Sequence, residues 1–307
     1  MELCNPAVVK QLLEKYSLAP KKGFGQNFLI NSMIPMRIAE SSASFADSSK
    51  PMGVLEIGPG IGALTQYLCQ NYDKVVAVEI DNGLIPLLSE SLAEYDNVTV
   101  LHQDFMKTDL PALIEEHFSE IISAGGTIGV CANLPYYITT PVIMKLLESF
   151  PMSRKLPFSS IVVMIQLEVA RRLAAPAGHS EYGSITASIA LRANVSKLFD
   201  VSPGNFLPVP KVSSAVVGII PHDGIRYVYP NAPEDDAKCD MFAERVNDMI
   251  GLAFGQRRKT LLNSVGGKYP KDKVMAALTE CGIRADIRGE KLSAGDFCRI
   301  IDILDKK

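Results

Sequence analysis

Long apolar runs are missing from this sequence. Its most apolar stretch, Ile161–Ile165, is followed at once by Gln166 and then by Glu168, far short of the ~20 consecutive apolar residues of a membrane-spanning helix. The first residues, Met1–Pro6, contain no basic segment followed by an apolar core, so no signal peptide is recognised. We therefore expect a cytoplasmic protein with no membrane partner.

Clustered cysteines and histidines are absent as well. No C-x-x-C pair and no grouping of cysteine with histidine occurs, so neither a disulfide framework nor a metal site is indicated. The six cysteines are Cys4, Cys69, Cys131, Cys239, Cys281 and Cys298, and the four histidines are His102, His117, His179 and His222. In a reducing compartment these cysteines are expected to be buried thiols.

A strong charge excess is the third missing feature. The net charge of −3 argues against a nucleic-acid partner, but the charges are unevenly spread. Residues 1–222 carry 16 basic and 20 acidic side chains, whereas residues 223–307 carry 15 and 14, and residues 250–275 hold six basic residues and one acid. Such a local excess suits a phosphate-binding surface, although a solvated helix face would look the same.

The 307 residues are 47% hydrophobic and 21% charged, the balance of a globular chain with about two domains. From Val54 onward, short apolar strands alternate with helices, which predicts a mostly parallel sheet covered on both faces. The predicted strands are Val54–Ile57, Val75–Glu79, Val98–Leu101, Ile128–Cys131, Ser160–Ile165 and Ser214–Ile220, with Ser188–Asn194 and Val195–Asp200 as further strand segments. After residue 222 only helical periodicity remains, so we predict an α/β domain in residues 1–222 and a small α-helical domain in residues 223–307.

A glycine-rich turn follows the first strand. The segment Glu56–Gly62 leads into a helix, and its glycines let the backbone approach a nucleotide beside a helix N-terminus. Glu79 ends the next strand, 21 residues after Gly58, the spacing at which a carboxylate reaches ribose hydroxyls. Because Ala63 occupies the third glycine position, the pattern fits NAD as well as S-adenosylmethionine. It predicts a nucleotide-type cofactor without choosing between them.

Asp104 comes directly after the third strand. A carboxylate there can accept a hydrogen bond from the exocyclic amine of an adenine. A helix N-cap is the equally reasonable structural interpretation.

The segment Asn133-Leu134-Pro135-Tyr136 follows the fourth strand. The Asn133 amide oxygen and the Leu134 carbonyl can accept both hydrogens of one exocyclic amino group, which leaves the nitrogen lone pair facing a methyl donor. Pro135 keeps the backbone rigid, and the Tyr136 ring can stack on a flipped base. This segment favours a base-modifying methyltransferase over a dehydrogenase.

Together these motifs resemble the small-subunit ribosomal RNA adenine dimethyltransferases, which modify two adjacent adenosines near the 3′ end of that RNA. The resemblance runs from about Lys21 to the C-terminus and also rests on Gly23–Leu29, Phe206–Ser214 and Phe254–Thr260. It implies a Rossmann-like, class I S-adenosylmethionine-dependent methyltransferase sheet in residues 1–222 and a helical RNA-binding domain in residues 223–307.

The resemblance also implies roles for individual residues. The implied cofactor-binding residues are Asn27, Leu29, Gly58, Gly60, Glu79, Asp104 and Asn133. The implied catalytic residues are Asn133, Leu134, Pro135, Tyr136 and Phe206, and the RNA-binding residues are Arg257, Arg258 and Lys259. Phe206 would hold the target base against Tyr136, with core packing as its alternative role.

The implied reaction is direct, metal-free methyl transfer from a sulfonium to adenine N6, in which catalysis is mainly positioning. The implied partner is small-subunit ribosomal RNA or an immature 30S particle during ribosome biogenesis, not DNA. Three alternatives stay open. They are a large-subunit adenine dimethylase of the macrolide-resistance type, an NAD-dependent oxidoreductase, and a non-catalytic assembly factor with a vestigial site.

Overall fold

A computed structural model describes residues 1–19, 26–135, 137–256 and 258–306. Internal contacts divide the chain into two units. The first comprises Met1–Ser149, Pro157–Ala170 and Ser196–Ile220, and the second comprises Phe150–Leu156, Arg171–Val195 and Pro221–Lys307. Neither unit is one continuous piece of chain.

The first unit contains alternating strands and helices. Its strands are β1 (Phe28–Leu29), β2 (Met52–Ile57), β3 (Lys74–Glu79), β4 (Val98–His102), β5 (Thr127–Asn133), β6 (Phe158–Gln166), β8 (Phe206–Leu207) and β9 (Ser214–Pro221). Its helices are α1 (Pro6–Lys15), α2 (Met33–Ala43), α3 (Thr65–Asn71), α4 (Leu84–Ser91), α5 (Leu110–Ser123) and α6 (Thr139–Glu148). The chain passes between units within α7 (Leu167–Leu173) and within β7 (Ala193–Val201).

In the described chain, seven strands form one sheet in the order β4-β3-β2-β5-β6-β9-β7. The neighbouring pairs from β4 to β6 are parallel, and β9 runs antiparallel to β6. From β2 the chain builds outward through β3 and β4, and then returns to place β5 on the other side of β2. In open α/β sheets, ligands bind at the carboxyl ends of the strands where the order reverses in this way.

The inner strands owe their stability to burial on both faces. Val54, Leu55, Val75, Val76 and Val130 are fully buried, as expected for parallel strands covered by helices on each side. Each such side chain contributes about 1.5–3 kcal/mol relative to exposure. This sheet holds the strand ends that carry the predicted site.

A second, two-stranded sheet pairs β1 with β8 in antiparallel register, Leu29 opposite Phe206 and Phe28 opposite Leu207. The pairing continues beyond the strands, because the N–H of Ile30 donates to the carbonyl of Asn205 at 2.9 Å. The ladder joins a segment near the start of the chain to one that precedes β9.

The second unit is helical. Its helices are α8 (Ser184–Ile189), α9 (Ile225–Val228), α10 (Asp236–Gly255), α11 (Leu261–Val265), α12 (Lys271–Glu280) and α13 (Ala294–Lys306). Phe242, Val246 and Met249 of α10 and Phe297 and Ile301 of α13 form part of one buried cluster. Among the described residues of the whole chain, no helix is long and apolar enough to cross a membrane.

The other predicted strands of the alternating region are confirmed, with ends displaced by a few residues, as is the mostly parallel sheet. The strand expected over Ser188–Asn194 is wrong for residues 188–192, because Ser188 and Ile189 belong to α8 and residues 190–192 form a turn before β7. Thr186 and Ile189, three residues apart, are both buried, the spacing of one helix face. A short apolar run of this kind does not distinguish helix from strand by periodicity.

The observed units differ from the predicted division at residue 222. The last boundary between the units, between Ile220 and Pro221, lies close to residue 222. However, Phe150–Leu156 and Arg171–Val195 also belong to the second unit. Tyr182 and Leu191 are buried in the helical cluster of that unit, so their segment is part of the second unit.

Candidate active site

A cavity of about 150 Å³, open to solvent, lies in the first unit, at the carboxyl ends of β2 to β5. Ten of the residues predicted from the sequence line it: Asn27, Leu29, Gly58, Gly60, Glu79, Asp104, Asn133, Leu134, Pro135 and Phe206. Tyr136 lies outside the described residues.

The glycine-rich turn forms one wall of the cavity. Gly58 and Gly60 have φ angles of 71° and 61°, a left-handed conformation that side-chain-bearing residues rarely adopt. The N–H of Gly58 donates to the carbonyl of Val78 at 3.0 Å, which ties the turn to β3. Apart from its two chain neighbours, no described residue has an atom within 4 Å of the position that a Cβ would take at Gly58, so the bare main chain borders the cavity.

Glu79 is fixed at the end of β3 by two main-chain donors. Its Oε1 accepts from the N–H of Asp81 at 2.8 Å, and its Oε2 accepts from the N–H of Gly60 at 3.2 Å. Burial raises the pKa of Glu79, while these hydrogen bonds lower it. Because each carboxylate oxygen has a second lone pair, the group can still accept hydrogen bonds from a diol.

Glu56 is a site residue that the sequence analysis did not select. It lines the cavity, is 1% exposed, and within the described chain its Oε2 has no hydrogen-bond partner. Burial raises the pKa of Glu56 to about 8; the nearby Glu79 adds to the rise, and the Thr65 hydroxyl opposes it. The available signal was a glutamate inside the otherwise apolar strand Val54–Ile57. A buried acid beside an open cavity suits a cationic ligand.

A second missed acid is Asp81, which is 4% exposed. Its Oδ2 accepts from Nε2 of Gln26 at 3.0 Å, and its Oδ1 accepts from the N–H of Gly83 at 3.0 Å. Asp81 therefore links the segment before β1 to the end of β3, next to Glu79.

Asp104 precedes a short 3₁₀ turn, Phe105–Lys107. Its Oδ1 accepts from the N–H of Met106 at 2.9 Å, so the N-cap interpretation is correct. Asp104 also lines the cavity. A carboxylate offers about four acceptor positions, so capping the turn leaves it able to accept from an amino group.

Asn133 ends β5 and is held from across the cavity. Its Nδ2 donates to the main-chain oxygen of Asn27 at 3.3 Å. This bond uses a donor, and within the described chain it leaves the acceptor Oδ1 available.

Leu134 and Pro135 connect β5 to α6. The N–H of Leu134 donates to the carbonyl of Met164 at 3.2 Å, and the side chain is 2% exposed. The carbonyl of Pro135 accepts from Oγ1 of Thr139 and from the N–H of Ile138, each at 3.2 Å. The backbone after Asn133 is therefore held by the neighbouring strand and by the first turn of α6.

Phe206 packs in the core, as one of its two predicted roles requires, while its role in holding the target base stays a prediction. Its side chain is 2% exposed and belongs to a buried cluster of the first unit, and it also lines the cavity. Its predicted stacking partner, Tyr136, is not among the described residues.

Exposed apolar side chains occur at the cavity as well. Tyr137 is 62% exposed, Ile80 47% and Met106 38%, and all three line it. Exposed apolar groups beside a cavity are typical of a binding surface.

The predicted RNA-binding residues belong to the second unit. Arg258 and Lys259 are exposed and lie between α10 and α11; Arg257 lies outside the described residues. Two other cations of the basic run have local partners: Lys268 pairs with Asp248 at 2.5 Å, and Lys271 donates to Asn263 at 3.0 Å. Of the predicted RNA-binding residues, Arg258 and Lys259 are thus described and exposed.

The sheet order and the cavity at its reversal point define a Rossmann-like methyltransferase. Two solved structures of methyltransferases are similar to the chain, each with 25% identity. A dimethyladenosine transferase from Plasmodium falciparum has a TM-score of 0.69 and covers 91% of this chain and 97% of its own. The 23S rRNA methyltransferase ErmE has a TM-score of 0.65 and covers 91% of this chain and 100% of its own.

The chain belongs to the ribosomal RNA adenine dimethylase family, whose model matches residues 18–306. Among its relatives, the ribosomal RNA small subunit methyltransferase A of Shouchella clausii is 41% identical over an alignment of 308 positions, which covers 99% of this chain and 96% of the relative. The protein of the same name from Anoxybacillus flavithermus is 39% identical with the same coverage. The resemblance identified from the sequence motifs is confirmed.

Proposed function

We propose that this protein transfers methyl groups from S-adenosylmethionine to N6 of two adjacent adenosines near the 3′ end of small-subunit (16S) ribosomal RNA. The observation that carries the proposal is the meeting of Glu79, Asp104 and the Asn133 amide at one cavity of an adenine dimethylase fold. The small-subunit names of relatives at 39–41% identity favour that RNA over the large-subunit RNA.

The hydrogen-bond acceptors at the cavity fit S-adenosylmethionine. Glu79 would accept from the ribose hydroxyls and Asp104 from the adenine amine, while the main chain at Gly58 and Gly60 borders the methionine portion. The buried Glu56 carboxyl, whose pKa is raised to about 8 in the cofactor-free chain, would ionise more readily beside the positively charged sulfur and so balance the charge of a cationic ligand. When bound, this cofactor supplies a methyl group activated by a positively charged sulfur.

The target amine would be held by two acceptors, Oδ1 of Asn133 and the main-chain oxygen of Leu134. Accepting both N–H hydrogens directs the nitrogen lone pair toward the methyl group. Phe206 and Tyr136 would hold the base that has been flipped out of the RNA. Because the sulfonium is already activated, the chain would supply positioning and electrostatic stabilisation, and the methylated nitrogen would release its surplus proton to solvent, with no general base and no metal ion.

The proposed partner is an immature 30S particle, reached through the exposed Arg258 and Lys259 together with Arg257. Phosphate contacts of this kind would give affinity without base selection. Since bacterial small subunits are assembled in the cytoplasm, this substrate implies a cytoplasmic enzyme.

The proposal is tested by transfer of tritiated methyl groups to small and large ribosomal subunits from a strain lacking this modification. We expect label on small subunits alone, as dimethyladenosine at two adjacent positions. Label on large subunits would instead support the macrolide-resistance type of activity. Tight binding to small subunits without transfer would support a non-catalytic assembly factor. Calorimetry with S-adenosylmethionine and with NAD separates the methyltransferase from a dehydrogenase.

A further inference from the structure

Lys145 of α6 holds the turn that carries Asp104. Its ammonium donates to the main-chain oxygens of Met106 at 2.9 Å and Thr108 at 2.6 Å. The same nitrogen lies 5.6 Å from the centre of the Phe105 ring. Within the described chain Lys145 forms no ion pair, so main-chain oxygens take the place of a carboxylate partner.

The hydrogen bonds of the turn show how the contacts of Lys145 affect Asp104. Its side chain accepts from the N–H of Met106, and its main-chain oxygen accepts from the N–H groups of Lys107 (2.9 Å) and Thr108 (3.1 Å). The position of the carboxylate is therefore set by the turn. The carbonyls of Met106 and Thr108 lie at its far end, and one ammonium with three donors can satisfy both.

The turn lines the cavity through Asp104, Phe105 and Met106, whereas Lys145 does not line it. Lys145 therefore acts on the cavity through other residues. Its helix begins at Thr139, a few residues after Asn133 and Pro135. The side chain thus braces the Asp104 side of the cavity against the helix that follows the methyl-transfer segment.

We propose that Lys145 is a positioning residue for the adenine end of the cofactor site: it holds the Asp104 turn so that the carboxylate meets the exocyclic amine of the cofactor. This inference rests on the proposed function, in which Asp104 accepts from that amine. The expected effect of losing Lys145 is confined to one part of the cofactor. Removing the ammonium impairs recognition of the amine and leaves the binding of the ribose and the methionine portion unchanged.

The test compares, by calorimetry, two ligands that differ at the N1–C6 edge of the purine: S-adenosylhomocysteine carries the amine, whereas S-inosylhomocysteine carries a carbonyl in its place and a hydrogen on N1. Lys145→Met keeps the apolar stem over Phe105 but removes the donors. We expect its dissociation constant for S-adenosylhomocysteine to rise about tenfold, the effect of losing hydrogen bonds to a charged group, while that for S-inosylhomocysteine changes less than about twofold. Lys145→Arg, which retains donors, should restore most of the preference. Lys10→Met, which removes an exposed cation from α1, serves as the matched control.

The preference between the two ligands is informative even for a destabilised variant, because an unfolded fraction weakens both apparent affinities equally. Should Lys145→Met not fold, Lys145→Gln, which removes the positive charge, takes its place, and Lys145→Arg remains the variant expected to keep the preference. Equal weakening of both ligands, or an unchanged preference, overturns the role of Lys145. In steady-state methyl transfer, the KM for the cofactor should rise with little change in kcat.

The parent protein and Asp104→Asn separate failure of this inference from failure of the proposed function. A parent that binds neither ligand contradicts the proposed cofactor. An Asp104→Asn variant with unchanged ligand preference contradicts the assignment of Asp104. A preference that depends on Asp104 but not on Lys145 contradicts the positioning role alone.

Discussion

The side-chain amide of Asn133 donates a hydrogen bond to the main-chain oxygen of Asn27 at 3.3 Å, joining residues 106 positions apart. The bond orients the amide, because using Nδ2 as a donor turns Oδ1 toward other groups. It also joins the strand end expected to hold the target amine to the segment expected to cover the cofactor. One hydrogen bond therefore connects the residue expected to hold the target amine with a residue expected to bind the cofactor.

Asn133→Ala should reduce kcat for methyl transfer by about 100-fold or more, as expected when a transition-state hydrogen bond worth ~2.7–4 kcal/mol is lost. Cofactor affinity should fall only modestly, since the main duty of the amide is toward the target amine. Single-turnover transfer to small subunits and calorimetry measure the two effects. Turnover within about threefold of the parent would contradict this role.

Glu79→Ala should weaken cofactor binding more than it slows saturated turnover. A carboxylate on ribose hydroxyls acts in the ground state and in the transition state alike, so its loss raises the dissociation constant. The matched control is Glu120→Ala, an exposed residue of α5. Unchanged affinity in Glu79→Ala would show that another group binds the ribose.

Glu56→Gln should stabilise the cofactor-free protein at alkaline pH. In the folded chain the pKa of Glu56 is raised from 4.5 to about 8, so between these values the unfolded chain releases a proton that the folded chain keeps. The contribution of Glu56 to stability is thus complete below pH 4.5 and is lost as the pH rises through about 8. Glutamine stays neutral throughout and avoids this loss, which is about 3–5 kcal/mol.

Urea unfolding of the parent and of Glu56→Gln at pH 5, 7 and 8.5 measures this effect. The difference in the free energy of unfolding should grow steadily with pH. Glu120→Gln, an exposed counterpart, should show no such trend. A difference that is the same at all three pH values would mean that Glu56 is ionised in the folded protein.

Replacing Arg257, Arg258 and Lys259 with alanine should weaken binding to small subunits and flatten its salt dependence. The slope of log affinity against log salt should fall by up to ~0.7–0.9 for each RNA phosphate that the variant no longer neutralises. Cofactor affinity should remain near the parent value, since these residues belong to the helical unit. Thermal melts first establish that the variant is folded.

A control for this variant removes three exposed cations from the first unit, Lys10, Lys50 and Lys197. It changes the net charge equally, so it separates a local interaction from a general electrostatic effect. A folded triple variant with the affinity and salt slope of the parent would exclude this surface from RNA binding.

The site could be predicted from the sequence where its residues follow strand ends. Glu79 and Asn133 end buried apolar strands and Asp104 follows shortly after β4, and parallel strands bring their carboxyl ends to one edge. The pairing of Leu29 with Phe206 could not be predicted, because such pairings depend on the whole fold and leave no local pattern. The role of Lys145 could not be predicted for the same reason, because in the sequence it cannot be distinguished from any surface lysine on a helix.

The interleaving of the two units has a consequence for synthesis of the chain. Residues 171–195 contribute buried side chains such as Tyr182 and Leu191 to a cluster whose other members extend to Leu304. During translation these early segments emerge long before the helices that bury them, whereas the seven-stranded sheet has all its strands once Pro221 has left the ribosome. The sheet is therefore able to form first, and the helical unit is completed only when the last helix is made. A fragment beginning at residue 223 would lack part of its own core.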